Sequence, residues 1–407
     1  MKTLLSALCA AAFLQCAALS AHAAPGLPST NVAWLAAAAD ADVDRAFAQA
    51  RAQHKPVLLY WGASWCPPCN QLKATFFNRQ DFAAQSRNFV AVHVDGDRPG
   101  AQKLGQRFKV SGYPTVVLFK ADGSEITRLP GEADPAQMMA VLQLGLAGGR
   151  PVKAVFADTL AGKPLSANEW RMLAFYSWET DEQQVVPKAN LPATLARLAA
   201  ASPAGDTETT TRLWLKALAA SDDGKGLKPD AALRERVQRV LADPATARTQ
   251  MDVLTGGATD IVKTLEADGT PGRAALVSSF ETTLKRLEAD ATLSRGDRLG
   301  AVIARINLAR LGQAKDVLQP TLPEALRKDV LDHVARLDRE TTDGYERQAV
   351  ITAGAYALGH AGLWTDSEAL LKANLARSHS PYYLMSQLAG NARKLGRNDE
   401  EIGRAHV

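Results

Sequence analysis

Residues 57–72 of this 407-residue chain read VLLYWGASWCPPCNQL, and they decide how the N-terminal part folds. The apolar run from Val57 to Trp61 is short and continuous, which is typical of a β-strand buried on both faces. The two prolines suit the first turn of a helix, where backbone N–H groups have no intrahelical partner. The stretch therefore predicts a buried strand, a turn and a helix, with Cys66 at the N-cap and Cys69 one turn further on.

The spacing of these two cysteines predicts redox chemistry. Cys66 and Cys69 form a C-x-x-C pair. A disulfide between them would close almost no loop, so it would add little stability as a structural crosslink. The partial positive charge of a helix N-terminus favours the thiolate of Cys66. We therefore expect Cys66 to be the nucleophile and the more exposed sulfur, and Cys69 to face inward and resolve the mixed disulfide.

Residues 32–148 predict one α/β unit around that stretch. Besides the strand and helix already described, the predicted elements are a helix over Val32–Gln53, a buried strand over Phe89–Val94, a helix over Gln102–Phe108, strands over Thr115–Phe119 and Ile126–Leu129 flanking the Asp122-Gly123 turn, and a helix that begins at Asp134-Pro135 and ends at Gly148-Gly149. Asp-Gly between apolar runs is a strong hairpin signal. The order predicts a central mixed sheet covered by helices, with an antiparallel hairpin at one side.

These residues resemble the thioredoxin superfamily. The resemblance rests on residues 57–72 together with Gly112-Tyr113-Pro114-Thr115. The stretch 75–82, TFFNRQDF, followed by Asn88-Phe89-Val90, looks most like the periplasmic thiol:disulfide interchange branch. It implies an α/β thioredoxin-like domain over residues 32–148, in which Cys66 attacks and Cys69 resolves.

The resemblance also implies supporting roles for residues around the cysteines. Pro114 would be a cis proline beside the disulfide, and with Tyr113 it would shape the groove in which substrate backbone pairs. Trp65 would pack over the active site. Pro67 and Pro68 would each remove an N–H that could have faced the nucleophilic sulfur.

The chain departs from the thioredoxin pattern at one buried position. Family members often carry an Asp below the second cysteine, paired with a Lys on the neighbouring strand. Here the Asp position is Tyr60, and the Lys position falls at Ala91, or at His93 if the register is shifted. Losing both partners together is coherent, because one alone would leave an unpaired buried charge costing about 3–5 kcal/mol. Tyr60, His93 and water stay open as acceptors of the Cys69 proton, and Tyr60 and His93 are otherwise structural.

Residues 1–23 have the pattern of a secretory signal peptide. Lys2 precedes an apolar run over Leu4–Leu19, and Ala21-His22-Ala23 is a small-x-small cleavage site. The alternative is an uncleaved membrane anchor. Cleavage would remove two of the four cysteines and leave the C-x-x-C pair in an oxidising compartment. We therefore expect an exported, periplasmic protein without a stable membrane span after signal cleavage.

Residues 166–400, beyond a predicted linker at 149–165, predict an all-α helical-repeat, solenoid-like domain. The clearest predicted helices are Leu191–Ala201, Thr207–Ser221, Ala231–Asp243, Ala274–Asp290, Leu299–Leu311, Glu324–Leu337 and Gln348–Gly359. Gly362 and Gly396 lie 34 residues apart in similar turns, which is the tetratricopeptide period. Such arrays present a concave surface to a protein or peptide. The alternative is a helical bundle that only buttresses the redox domain.

The last seven residues, 401–407, read EIGRAHV and interrupt the second of these repeats. They look like a translated sequencing adapter, so we expect a non-native tail. A genuine polar tail is the alternative.

Composition and motifs exclude several other functions. With 47 basic and 43 acidic residues the net charge is only +4, and no basic run or stripe suggests nucleic-acid binding. The seven histidines show no metal-site spacing, and the chain has no phosphate-binding glycine loop. We therefore expect neither metal nor cofactor.

The sequence as a whole predicts an exported thiol:disulfide oxidoreductase. It would exchange disulfides with protein substrates through Cys66-Pro67-Pro68-Cys69 and depend on an upstream redox partner, while the helical region is a candidate surface for a protein or peptide. The branch resemblance favours a reductase or electron relay. The alternatives are a disulfide oxidase or isomerase, and a helical-repeat scaffold whose thioredoxin-like domain only docks partners.

Overall fold

The structure is a computed structural model that describes residues 31–397 except 132–133, 182–183, 206, 222–226, 315 and 379–380. The predicted signal peptide at 1–23 and the predicted tail at 401–407 both lie outside the described residues. Within the described ranges, no helix combines the length and the apolar character needed to cross a membrane.

A five-stranded mixed sheet forms the centre of the N-terminal part, with the strand order β1-β3-β2-β4-β5. The strands are β1 Leu35–Ala37, β2 Val57–Gly62, β3 Val90–Asp95, β4 Thr115–Phe119 and β5 Glu125–Leu129. Central strand β2 is parallel to β3 and antiparallel to β4, and all six of its residues are buried. Its continuous apolar sequence follows from this position, because a strand covered on both faces has no solvent-facing side.

Helices cover both faces of the sheet. They are α1 Asp40–Gln53, α2 Pro67–Leu72, α3 Gln80–Gln85, α4 Ala101–Arg107 and α5 Pro135–Leu146, and a π-helical turn over Lys73–Phe77 continues α2. Leu58 and Tyr60 point into the core beneath α2, α3 and α5. Leu59 and Trp61 point into the core beneath α1 and α4. This alternation is the period of two expected for a strand, and it places Tyr60 on the same side of the sheet as α2.

One predicted element is wrong at its N-terminal end. The predicted helix over Val32–Gln53 is instead strand β1, Leu35–Ala37, followed by α1. Leu35 pairs with Val92 in a parallel ladder along β3. Alanine-rich sequence favours helix locally, but helix propensity is a weak preference. The strand forms because the free edge of β3 offers backbone hydrogen-bonding groups that need partners.

The described residues after 150 form helices and turns, and we call this part the helical region. Its α-helices are α6 Val152–Leu160, α7 Ala167–Phe175, α8 Leu191–Ala201, α9 Thr207–Ala219, α10 Ala231–Ala242, α11 Pro244–Thr249, α12 Met251–Gly256, α13 Ala258–Leu265, α14 Pro271–Ala289, α15 Arg295–Ala309, α16 Glu324–Glu340, α17 Gly344–His360, α18 Trp364–Asn374 and α19 Pro381–Lys394. The sheet domain is therefore followed by a mostly helical region, as predicted.

The helical region shares a hydrophobic core with the sheet domain. Leu118 of β4 and Met138 of α5 belong to the same buried cluster as Phe175 and Leu213 from α7 and α9. The interval 149–165, predicted to be a linker, contains α6, and Val155 of this helix is buried in that cluster too. The interval therefore packs against the core instead of forming an extended linker. The proline before α6 does not prevent this, because a proline is compatible with the start of a helix.

Candidate active site

Helix α2 presents the two cysteines at its N-terminus. Cys66 is the N-cap with extended backbone, and Pro67 and Pro68 occupy the first two helical positions. A disulfide joins Cys66 to Cys69, whose Cα atoms are 5.2 Å apart. The Cys69 N–H lies 3.2 Å from Cys66 Sγ and donates to it. Because the two prolines have no N–H, this donor and the helix dipole are what the first turn offers to a negative charge on Cys66.

Both sulfur-bearing side chains are covered by other parts of the molecule. Cys66 is 3% exposed and Cys69 is fully buried. They form a small cluster with Ala63, against which Tyr113 packs. Cys66 is the more exposed of the two, as expected, but its exposure is far smaller than the sequence alone suggests for an attacking group.

The loop before β4 lies beside the cysteines. The Tyr113–Pro114 peptide bond is cis, the conformation that the family resemblance implies. Strand β4 begins at the next residue, Thr115, which pairs with Trp61 of β2. Since α2 follows directly after β2, this pairing brings the Pro114 loop next to the N-terminus of α2.

Trp65 lies at the rim of the site. Its indole Nε1–H donates to Asp97 Oδ1 at 2.7 Å. Its ring stacks on Tyr383 of α19 with 5.7 Å between centroids. The side chain remains 37% exposed. Trp65 therefore connects the redox motif to the last helix of the helical region.

Two further side chains, one from α2 and one from the π-helical turn that continues it, contact the helical region. We call these two consecutive elements the redox helix. Gln71 Nε2 donates to Ser294 Oγ at 3.1 Å and to Asp297 Oδ1 at 2.7 Å, at the start of α15. Burial raises the pKa of Asp297 to about 6, although its hydrogen bonds from Ser294 and Gln71 oppose that rise. Lys73 Nζ lies 5.1 Å from the centre of the Tyr345 ring on α17. The helical region thus holds α2 along its length.

Tyr60 and His93 face each other beneath α2. They are paired across β2 and β3, so the shifted register is the correct one and Ala91 pairs with Leu58 instead. The two rings stack with 5.0 Å between centroids. Within the described ranges, neither the Tyr60 hydroxyl nor His93 Nε2 has a hydrogen-bond partner. Burial raises the pKa of Tyr60 far above its usual range and, with the charge of Lys73 adding to the effect, lowers the pKa of His93 to about 3.

Lys73 is a site residue that the sequence analysis missed. It is 1% exposed. Burial lowers its pKa to about 8, while the charges of Asp95 and Asp97 partly oppose the shift. Its position four residues after Cys69, on one face of a predicted helix, was the available signal.

A cleft of about 350 Å³ opens beside the cis proline, between the sheet domain and the helical region. Tyr113, Pro114 and Gly131 lie on its sheet-domain side, whereas Lys216, Ala220 and Gly256 belong to its helical wall. Lys216 is 4% exposed and its Nζ donates to the Tyr176 carbonyl at 2.9 Å. Because Tyr113 also packs against the cysteines, the cleft approaches the disulfide.

Other features of the described structure lie apart from the site residues or provide no metal ligands. A larger cavity of about 640 Å³ lies beside α1 and the β4–β5 hairpin, with Phe47 and Ser124 in its wall and none of the site residues. Among the residues that the structure describes, no group of three or more His, Cys, Asp or Glu side chains is arranged to hold a metal ion.

Comparison with known proteins adds independent evidence on this site. Residues 43–145 match the family model of a thioredoxin-like domain. The thiol:disulfide interchange protein DsbD 2 of Pseudomonas aeruginosa is 30% identical over 131 residues, covering 31% of this chain and 22% of that protein. DsbD 1 of the same organism is 32% identical over 121 residues, covering 29% and 20%. DsbD of Yersinia pestis is 35% identical over 98 residues, covering 23% and 16%.

The chain spans about a fifth of the length of these curated relatives. The family-model match, residues 43–145, includes the C-x-x-C pair. The chain therefore contains a thioredoxin-like domain, and its similarity to these relatives supports thiol:disulfide interchange as the chemistry of the Cys66–Cys69 site.

Proposed function

We propose that this protein is an exported thiol:disulfide oxidoreductase that exchanges disulfides with protein substrates through Cys66 and Cys69, as a reductase or electron relay. The observation that carries the proposal is the disulfide at the N-terminus of α2, beside cis Pro114, with the Cys69 N–H donating to Cys66 Sγ. The similarity to thiol:disulfide interchange proteins supports it.

The exchange follows from the positions of the two sulfurs. In the reduced protein the Cys66 thiolate attacks a substrate disulfide, forming a mixed disulfide and releasing one substrate thiolate. Cys69, one helical turn away, then attacks the Cys66 sulfur and releases the second substrate thiolate. The protein ends with the Cys66–Cys69 disulfide, and two electrons have passed to the substrate. An upstream dithiol partner restores the reduced state by the same exchange in reverse, so no dissociable cofactor takes part.

Substrate sulfur reaches Cys66 from the cleft beside Pro114. The cleft shares Tyr113 with the cysteine cluster, whereas Trp65 and Gln71 contact Tyr383 and α15 and do not line it. The volume of this cleft, about 350 Å³, suits a short extended segment better than the surface of a folded domain. The preferred substrates are therefore cysteines in flexible or unfolded chain segments.

The proposed periplasmic location is supported by the signal-peptide pattern at 1–23. Expression of the full chain with a C-terminal tag, followed by fractionation and mass analysis of the N-terminus, tests this. We expect a periplasmic product that begins after Ala23, and a full-length product in the membrane fraction would support the anchor alternative.

The burial of Cys66 favours one competing function, a binding scaffold whose thioredoxin-like domain performs no turnover. Insulin reduction by the full chain separates the two. We expect the native protein to catalyse it, Cys66→Ser to abolish it, and Cys69→Ser to accumulate a mixed disulfide at Cys66. Reduced native protein that neither reduces insulin nor reacts with an alkylating agent at Cys66 would contradict the proposal and favour the scaffold.

The reduction potential of the Cys66–Cys69 couple tests the direction of electron flow. About 30 mV corresponds to 1.4 kcal/mol in this two-electron exchange. We expect a value nearer −270 mV, typical of thioredoxin, than −120 mV, typical of a strong oxidant. A value at the oxidising end would instead assign the protein to disulfide formation.

A further inference from the structure

Lys73 follows Cys69 by one helical turn. Its backbone N–H donates to the Cys69 carbonyl, so the two side chains lie on the same face of the redox helix. Long side chains in helices lean back toward the N-terminus, over the preceding turn. The Lys73 side chain is therefore directed toward the turn that carries Cys69, and both side chains are buried.

The environment of Lys73 suits an uncharged amine. The carboxylates of Asp95 and Asp97 influence its pKa through their charge and not through a hydrogen bond. The ring of Tyr345, from the helical region, lies 5.1 Å from the amine, and although a ring face favours the ammonium, burial outweighs this contact. Burial is the largest influence on its pKa and lowers it to about 8, against the opposing charges of Asp95 and Asp97. About a tenth of the amine is thus unprotonated at pH 7 and can accept a proton.

The other titratable groups of this buried pocket are poorly suited to that task. Tyr60, on β2, keeps its proton because burial raises its pKa, and Tyr345 and Asp95 add to the rise. His93, on β3, is a weak base because burial lowers its pKa to about 3. The pKa of Tyr345 itself is raised by burial and by the charge of Asp343. Lys73 is the group of this set whose pKa lies near that of a thiol.

We propose that Lys73 accepts the proton of Cys69 when that thiol resolves the mixed disulfide, and that Tyr345 keeps the amine desolvated for this step. The proposal rests on the proposed function. In the step, the Cys69 S–H proton moves to Lys73 Nζ and the Cys69 thiolate bonds to the Cys66 sulfur. The bond between Cys66 and the substrate sulfur breaks, and the electron pair leaves on that sulfur. The ammonium of Lys73 then returns its proton to solvent or to the leaving thiolate.

A rapid-mixing experiment on the full reduced protein with the aromatic disulfide 5,5′-dithiobis(2-nitrobenzoate) separates the two steps. Attack by Cys66 releases one thionitrobenzoate at a rate that grows with reagent concentration. Resolution by Cys69 releases the second at a rate that does not depend on concentration. Attack and resolution are therefore read from one absorbance trace.

The decisive variants are Lys73→Gln, which removes the amine, and Lys73→Arg, which keeps the charge but cannot take up a proton. We expect both to slow the second phase on the order of 100-fold at pH 7, the usual range for general acid–base catalysis, while the first phase persists. Lys153→Gln, on an exposed lysine of α6, is the matched control and should leave both phases unchanged.

An unchanged second phase in Lys73→Gln, or a native rate in Lys73→Arg, would overturn the proposal. Absence of the first phase in the native protein would instead overturn the proposed function, so the two failures are distinguishable.

Tyr345→Ala, which opens space for water above the amine, tests the proposal without altering the redox helix, and it serves if the Lys73 variants do not fold. Removing the phenol ring rehydrates the amine, so its pKa should rise toward the ordinary lysine value of 10.5. The second phase should then be slower at pH 7 and its pH midpoint should move upward from about 8. A midpoint that stays in place would overturn the role of Tyr345 and of the buried amine.

Discussion

The thioredoxin-like domain and the helical region contribute to the site in different ways. Cys66 and Cys69 reach their positions through one turn of helix α2. The residues that cover α2 come from far along the chain: Gln71 meets Asp297 across 226 positions, and Trp65 meets Tyr383 of the last described helix. The nucleophilic pair is thus local, whereas access to it and the environment of Lys73 depend on long-range packing. The predictions below separate the contribution of the local motif from that of the packing.

The largest effect is expected at Arg128, which joins the two regions at the edge of the sheet. Its guanidinium is fully buried and pairs with Glu125 at 3.1 Å. It also donates to the Lys109 carbonyl at 2.8 Å and to the Thr180 carbonyl. Arg128→Ala removes the buried cation beside Glu125, whose remaining donors among the described residues, Tyr176 and Gln184, are neutral, so we expect a loss of about 3–5 kcal/mol in the free energy of unfolding.

Denaturant unfolding followed by circular dichroism measures this loss. Arg45→Ala is the control, because Arg45 pairs with Asp42 through a side chain that is 73% exposed and should contribute at most about 1 kcal/mol. Equal losses of unfolding free energy in the two variants would contradict the prediction that the buried pair stabilises the junction between the two regions.

The next effect is a pH dependence at the contact between Gln71 and α15. The pKa of Asp297 is raised by burial to about 6, above its unfolded value. The folded state therefore holds the proton more tightly. The stability that comes from this difference is fully present below about pH 4 and is lost as the pH rises through about 6. The contribution is at most about 3 kcal/mol.

Denaturant unfolding midpoints measured between pH 4 and 7 show whether the stability decreases as the pH rises. Asp297→Asn should remove this part of the pH dependence, because the amide stays neutral throughout. Asp230→Asn, at an exposed N-cap of α10, should retain it. The assignment would be contradicted if the denaturant midpoint of the native protein did not decrease, relative to that of Asp297→Asn, as the pH rises from 4 to 6.

A smaller effect is expected from narrowing the cleft. Gly256 lines it, and a Cβ at this position would meet no atom within 4 Å. Gly256→Trp should therefore fold normally and obstruct the approach of a polypeptide to Cys66. We expect insulin reduction to slow roughly tenfold, the kinetic equivalent of ~1.4 kcal/mol.

The reaction of Gly256→Trp with a small aromatic disulfide should keep its rate, because the cysteines are untouched. Gly300→Trp, on α15, is the control, since its Cβ would also enter open space but outside the cleft. Insulin reduction at the native rate by Gly256→Trp would mean that substrates approach by another route.

The smallest effect is expected at the rim, from Tyr383→Ala. An aromatic stack contributes about 0.5–1.5 kcal/mol, so losing the ring that stacks on Trp65 should open the site only modestly. Alkylation of reduced Cys66 should accelerate roughly two- to tenfold. Tyr382→Ala provides the control, because this neighbouring side chain is 70% exposed. Equal alkylation rates in both variants would show that α19 does not limit access.

How well a feature could be predicted from the sequence depends on whether nearby or distant residues determine it. Strand β2 and the N-cap position of Cys66 depend on neighbours within a few residues, and both were predictable. Strand β1 was not, because its formation depends on the edge of β3 rather than on its own alanines. The pairing of Tyr60 with His93 was left between two registers, since the apolar pattern of a strand buried on both faces does not distinguish them.

Lys73 shows the same limit within the site. A lysine in a short helix is usually solvated, and its spacing from Cys69 indicates a shared helix face but not that the amine is buried. Its environment exists because Tyr345, from α17, lies over it. In the same way, turns at Gly362 and Gly396 follow from the glycines themselves, which readily adopt left-handed backbone, whereas the contacts of α17 with Lys73 and of α19 with Trp65 were not predictable.

The sequence by itself determined the disulfide chemistry, because a nucleophile, its resolving partner and the helix end that stabilises a thiolate all fit within four consecutive positions. Only the tertiary structure decided that the disulfide is covered, that a cleft beside Pro114 leads toward it, and that an amine is buried beneath it. The physical reason is that covalent spacing and helix geometry are local, while burial and desolvation arise from surfaces that the chain brings together only when it folds.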